Sequence, residues 1–190
     1  MININSLDKL IEDSENEILN IRPDTEKKII WANQNKVKTK ISLIFIHGFS
    51  ATRAELDPVI EMLGKELNAN IFFTRLRGHG LDGEALAEAT FDDWMIDTKE
   101  AIDIGNAIGD SLILIGCSTG CSLIHANLQY TENALAIIYV SPNFGPKSFF
   151  GQLLRIPGAK WFIPFIFGKE YSFVPRNADH ARCWTTSYPI

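Results

Sequence analysis

The chain has 190 residues, 46% of them hydrophobic and 22% charged, which is enough apolar material for a real core and fits one soluble globular domain. A formal net charge of −5, with no Lys/Arg block, argues against nucleic acid as a partner. The three cysteines, Cys117, Cys121 and Cys183, form no Cys-x-x-Cys pair, so buried free thiols are expected rather than disulfides or a metal site.

Met1 to Lys9 lack the basic start and long apolar stretch of a secretory signal, which makes the cytoplasm the expected location. Ser6 is placed to cap a short helix with Leu7, Leu10, Ile11 and Ile18 near one face, and residues 1–25 read as an N-terminal helical extension. Lys28 to Ala32 reads as an early strand. Ile41 to Ile46 is a stronger one, nearly continuous in apolar residues, as suits a sheet covered on both faces. It runs directly into His47-Gly48-Phe49.

Leu56, Val59, Ile60, Leu63 and Leu67 then recur at helical spacing, and Ile71 to Phe73 forms a short strand ending in Arg75-Leu76-Arg77-Gly78-His79-Gly80. Thr90 opens another helix, with Asp93 as an imperfect capping box and Trp94, Met95, Thr98, Ala101, Ile102 and Ile108 on its buried side. Ala136 to Val140 is a further strand, closed by Ser141-Pro142. Strands alternating with helices predict an α/β fold with a mainly parallel sheet and helices on both faces.

The pentad Gly116-Cys117-Ser118-Thr119-Gly120 lies between the apolar run Leu112 to Ile115 and the helix-like Leu123 to Ala126. That is the strand, tight turn and helix context of a nucleophile elbow, which presents a serine hydroxyl above the end of a sheet. Glycines on both sides tolerate the crowding that a Cβ would aggravate. A nucleotide-binding α/β domain fits less well, because neither Gly-x-Gly-x-x-Gly nor Gly-Lys-Ser/Thr follows a strand.

The order of His47-Gly48-Phe49, Arg77-Gly78-His79-Gly80 and the pentad, each after a strand, resembles the α/β-hydrolase family over most of the chain. Its bacterial esterase, lysophospholipase and serine-aminopeptidase-like branch is the nearest in pattern. The resemblance implies that Ser118 attacks a carbonyl to form an acyl-enzyme, while the backbone amides of Phe49 and Thr119 bind the oxyanion. It implies no metal and no cofactor. The family order is serine, then acid, then histidine, so His47 and His79 come too early to be the base; hydrogen bonds that hold loop geometry are their expected role. His125 falls inside the helix behind the serine, and Cys117 occupies the variable position rather than the apex.

Residues 146–175 resemble the family's cap, with an apolar stretch from Phe149 to Phe167 that favours a small-molecule ester with an apolar acyl group. Arg155, Pro157, Gly158, Lys160 and Pro164 interrupt that stretch and argue against a membrane span. After it come only Glu170, Asp179 and His180 as acid and base candidates, and Asp179 and His180 are sequence neighbours, which ill suits loops on separate strand ends. The expectation is therefore a hydrolase domain incomplete at its C-terminal end, lacking its last strands, the triad acid and the base. Two readings follow: a serine esterase acting through Ser118, or a catalytically silent fragment or binding module that keeps the pocket. An uncovered apolar sheet edge at Ala136 to Val140 would invite self-association.

Overall fold

The computed structural model describes residues 2–145, 156–158 and 168–189. Most of the cap-like stretch lies outside the described residues. Among those described, a five-stranded sheet has the order β1-β3-β2-β4-β5, where β1 is Lys28–Ile30, β2 Thr39–Ile46, β3 Asn70–Phe73, β4 Gly109–Cys117 and β5 Ala134–Val140. The last four run parallel to one another, and β1 pairs antiparallel with β3.

The strand-rich reading of the sequence agrees with this architecture, with shifts at the strand starts. Strand β4 begins at Gly109 rather than Leu112, because the polar Gly109-Asp110-Ser111 pairs with the start of β2 through Thr39↔Gly109 and Ile41↔Ser111. Hydrogen-bonded pairing extends a strand past the end of its apolar pattern.

Alternation along the strands divides the core. Ile44 and Ile46 of β2, Phe72 of β3 and Leu112 and Leu114 of β4 face one side, against α4 (Phe91–Ile108) and α5 (Thr119–Ala126). Leu43, Phe45, Ile71, Phe73 and Ile115 face the other, with Ile60 of α2 (Val59–Leu67). Leu43 to Ile46 have no solvent exposure at all, as expected of a central parallel strand covered on both faces. Thr90 and Asp93 form a complete capping box at the start of α4, where the shorter Asp serves in place of the usual Glu.

The first helix corrects one expectation. Helix α1 (Leu7–Asn16) buries Leu7 and Ile11, but Leu10 and Ile18 are exposed, and Glu15 takes the next place on the inner face. Its carboxylate receives both Arg75 Nε, at 2.7 Å, and Arg75 Nη2, at 2.9 Å, in a buried bidentate pair. Ser6 stands at the helix start without a side-chain capping bond; Asn3 caps the preceding turn instead. Lys27 also donates its amide to Glu15.

After the stretch from 146 to 167, Glu170–Ser172 (β6) and Ser187–Pro189 (β7) form a small antiparallel pair, with helix α6 (Ala178–Cys183) between them. Strand β7 lies against α3 (Gly83–Glu88), so closely that a Cβ on Gly83 would stand 2.1 Å from the Ser187 carbonyl oxygen. Among the described residues, no helix is long and apolar enough to cross a membrane.

Candidate functional site

Ser118 is the single residue between the end of β4 and the start of α5, with φ 50° and ψ −112°. A non-glycine residue in this region carries strain of about 1–3 kcal/mol, held in place by its surroundings. Those surroundings are tight. A Cβ at Gly120 would stand 2.1 Å from the Ile46 carbonyl oxygen, and one at Gly116 would stand 2.7 Å from the Cys121 amide nitrogen. Only glycines let the first turn of α5 sit directly on the end of β2. The Ser118 amide donates to the Val140 carbonyl at 3.0 Å, and its carbonyl accepts from Cys121 at 3.1 Å and Asn143 at 3.3 Å. The serine is partly exposed, above the C-terminal edge of the sheet.

The loop after β2 faces this turn and is tied on several sides. Leu76 donates its amide to His47 Nε2 at 3.2 Å, which leaves the ring proton on Nδ1 to bond the Gly48 carbonyl at 2.9 Å. The Ser50 amide donates to His79 Nε2 at 3.1 Å, and His79 Nδ1 bonds the Arg77 carbonyl at 3.2 Å. Both rings are buried, with centroids 4.8 Å apart. Burial pulls the His47 pKa down to about 4, and burial with the neighbouring His47 pulls His79 well below the ordinary histidine value. Both are neutral struts for the loop, in agreement with the role expected from the sequence.

Two backbone groups in this neighbourhood differ from the rest. Among the described residues, neither the Phe49 amide nor the Thr119 amide donates to a protein acceptor. Thr119 is the first residue of α5, where the helix leaves N–H groups free and its dipole favours negative charge. The Phe49 ring is half-exposed and packs edge-on against His79, Trp94 and Tyr188, the last at 5.1 Å.

The remaining candidates are also accounted for. Cys117, Cys121 and Cys183 are free and buried, and burial pushes the Cys117 thiol up to about 12, so it stays protonated. His125 is exposed on α5 beside Tyr139 and Phe144. His180 packs between the rings of Phe173 and Trp184, and its neighbour Asp179 is exposed in the first turn of α6. Among the described residues, no cluster of His, Cys, Asp and Glu has the form of a metal site.

Two features were not read from the sequence. The segment from α6 to β7 docks on the loop: Thr185 donates to the Ser50 carbonyl at 2.7 Å, Trp184 forms a bridge with Ala51, and Arg22 Nη1 reaches the carbonyls of Ala181 and Trp184. The second is Glu55, whose carboxylate accepts from the Gly48 amide at 2.7 Å. Neither contact has a local pattern to announce it, since each joins residues through the tertiary fold.

Comparison with known proteins follows the same lines. The model of a family described as "Alpha/beta hydrolase family" matches residues 43–187. No match was found among curated proteins. A solved structure from work on LipS and LipT, two metagenome-derived lipolytic enzymes, is 20% identical with a TM-score of 0.65, over 82% of this chain and 58% of that one. Est1E from Butyrivibrio proteoclasticus, solved with ferulic acid, is 19% identical with a TM-score of 0.50, over 66% of this chain and 53% of that one. The chain thus spans somewhat more than half the length of these two structures, and at such identities the likeness is one of fold. With the family match running from β2 to β7, the chain belongs to the alpha/beta hydrolase family.

Proposed function

We propose that the protein is a serine hydrolase that cleaves carboxylic esters, with Ser118 as nucleophile and the amides of Phe49 and Thr119 as the oxyanion site. The observation that carries this reading is the strained φ of 50° at Ser118, on a turn that only Gly116 and Gly120 permit, opposite a loop whose Phe49 amide is free of a protein acceptor. Strain of this kind persists where a side chain must be aimed. Charge develops on the carbonyl oxygen as the serine adds, and fixed amides meet it without reorganising; one such donor is worth about 3 kcal/mol of barrier. The acyl-enzyme then forms as the alcohol leaves, and water releases the acid.

The rings of Phe49, Trp94 and Tyr188 beside that amide favour a small ester with an apolar acyl group. Recognition of such a substrate needs no nucleic acid and no membrane-spanning segment.

A second reading has its own support. All four histidines in the sequence are described, and among the described residues none is hydrogen-bonded to Ser118: His47 and His79 bond backbone groups, His125 is exposed beside Phe144, and His180 packs on Trp184. A serine without a base is a poor nucleophile, and in a related triad loss of the histidine costs about 10⁶ in turnover. The protein would then be a silent binding module with residual catalysis of about 10³ to 10⁴ over water from the oxyanion site.

A fluorophosphonate probe and a p-nitrophenyl ester series separate the two. Prompt labelling at Ser118, together with ester turnover that Ser118→Ala abolishes, supports the hydrolase. A folded protein that takes up no label and hydrolyses ester no faster than Ser118→Ala supports the silent form.

A further inference from the structure

Gly48 lies between two side chains of different elements. A Cβ built on it would stand 2.9 Å from Glu55 Oε1 and 3.2 Å from Ser118 Cβ. The carboxylate therefore reaches to within one glycine of the serine while bonding the Gly48 amide at 2.7 Å through Oε2. The Cys117 thiol, which belongs to the residue immediately before Ser118, and this carboxylate also shift each other's titration. Glu55 itself stands on a short turn, Arg53–Leu56, that Thr52 caps. One half-buried carboxylate thus bonds the loop that carries Phe49 at the point where that loop passes Ser118.

We infer that Glu55 is a positioning residue that clamps the Gly48–Phe49 peptide against the Ser118 turn, so that the Phe49 and Thr119 amides converge on one point. The inference rests on the hydrolase reading above and deepens it. Other bonds hold the loop around Phe49: His47 holds the Gly48 carbonyl, His79 holds the Ser50 amide, and Thr185 holds the Ser50 carbonyl. None of these reaches the nucleophile turn. Glu55 instead stands at the Gly48 position that also faces Ser118 Cβ, and its oxygen accepts the Gly48 amide at 2.7 Å. Burial raises the carboxyl pKa, and the Gly48 amide and the Cys117 thiol oppose that rise, as acceptors' partners do.

The clamp depends on where the acceptor oxygen lies rather than on its charge. Glu55→Gln keeps an acceptor at the same reach; Glu55→Asp keeps the charge but withdraws the oxygen by one methylene. A misplacement of about 1 Å at a reacting centre can cost as much as about 10²-fold. The test is the second-order rate of Ser118 labelling by a fluorophosphonate, with amide hydrogen exchange at Gly48 and Phe49 measured on the same proteins. The expected result is a Gln variant within about threefold of the parent, and an Asp variant slower by about tenfold to a hundredfold, with faster Gly48 exchange in the Asp variant only. Equal labelling rates in all three proteins, or an Asp variant faster than the Gln variant, would overturn the clamp. If the parent itself takes no label, the hydrolase reading fails separately, and Gly48 exchange that is unchanged in Glu55→Asp overturns the clamp as well.

Discussion

The two parallel margins of the central strands are built to different standards. Around β2 and the end of β4, backbone approaches backbone so closely that a methyl group has no room, and every strand residue from Leu43 to Ile46 is fully buried. Along β5, Leu135 is 64% exposed and Ile138 is 41% exposed, and the sheet ends there among the described residues. The proposed nucleophile and both oxyanion donors belong to the first region. The difference teaches that the proposed site is organised mainly by strand-end geometry around β2 and β4, with β5 reaching it only at its last residue, where the Val140 carbonyl accepts the Ser118 amide.

The sharpest way to break that contrast is at Gly120. Gly120→Ala sets a methyl group within 2.1 Å of the Ile46 carbonyl oxygen, backbone against backbone with no flexible side chain to yield. We expect a loss of about 3 kcal/mol or more, read by denaturant unfolding, whereas overpacking at forgiving sites costs about 1 kcal/mol. An unchanged midpoint would mean that α5 can slide off the end of β2.

Acid acts on the same region through His47. In the unfolded chain it titrates near the ordinary value of about 6.5, and in the fold near 4. The unfolded state therefore binds the proton first, so the stability that neutral His47 contributes is complete above pH 6.5 and is lost as pH falls toward 4. The loss amounts to about 3 kcal/mol from this ring, with His79 adding in the same direction. Unfolding free energies at neutral and acid pH check it: the gap between them narrows in His47→Gln, and an equal gap in both proteins would contradict the burial argument.

A smaller effect of opposite sign is expected at the serine. Ser118→Gly removes the Cβ from a backbone at φ 50°, and relief of strain set against the greater freedom of an unfolded glycine leaves about 1 kcal/mol of added stability. The melting temperature rises, and the proposed ester hydrolysis is lost with the hydroxyl. A fall in melting temperature would show that the turn is not strained.

How much of this was legible in the sequence follows the range of the interactions. Ile41 to Ile46 was readable because burial on both faces writes a continuous apolar run, and Ser118 because a strand, a turn and a helix lie within a few residues of one another. His47 and His79 were readable as struts because both precede Ser118, against the serine, acid, histidine order that the family resemblance implies. Glu15 was not, because its place on the inner face of α1 is made by Arg75, far along the chain, and the expected Leu10 and Ile18 turned outward instead. Glu55 and Thr185 escaped notice for the same reason: each meets the loop after β2 through a tertiary contact that no period or motif encodes.

The exposed margin yields the smallest change in folding energy and a separate readout. Leu135 and Ile138 are exposed on β5, whose outer edge has no partner strand among the described residues, and an unpaired apolar edge is a template for a second chain. We propose that this protein self-associates through β5, so that Leu135→Lys with Ile138→Lys shifts sedimentation toward the monomer. Because both side chains are exposed, unfolding free energy changes by only about 0.5 kcal/mol. A parent protein that already sediments as a sharp monomer would remove the case for association. A loss of several kcal/mol in the double variant would mean instead that β5 is held by contacts beyond those among the described residues.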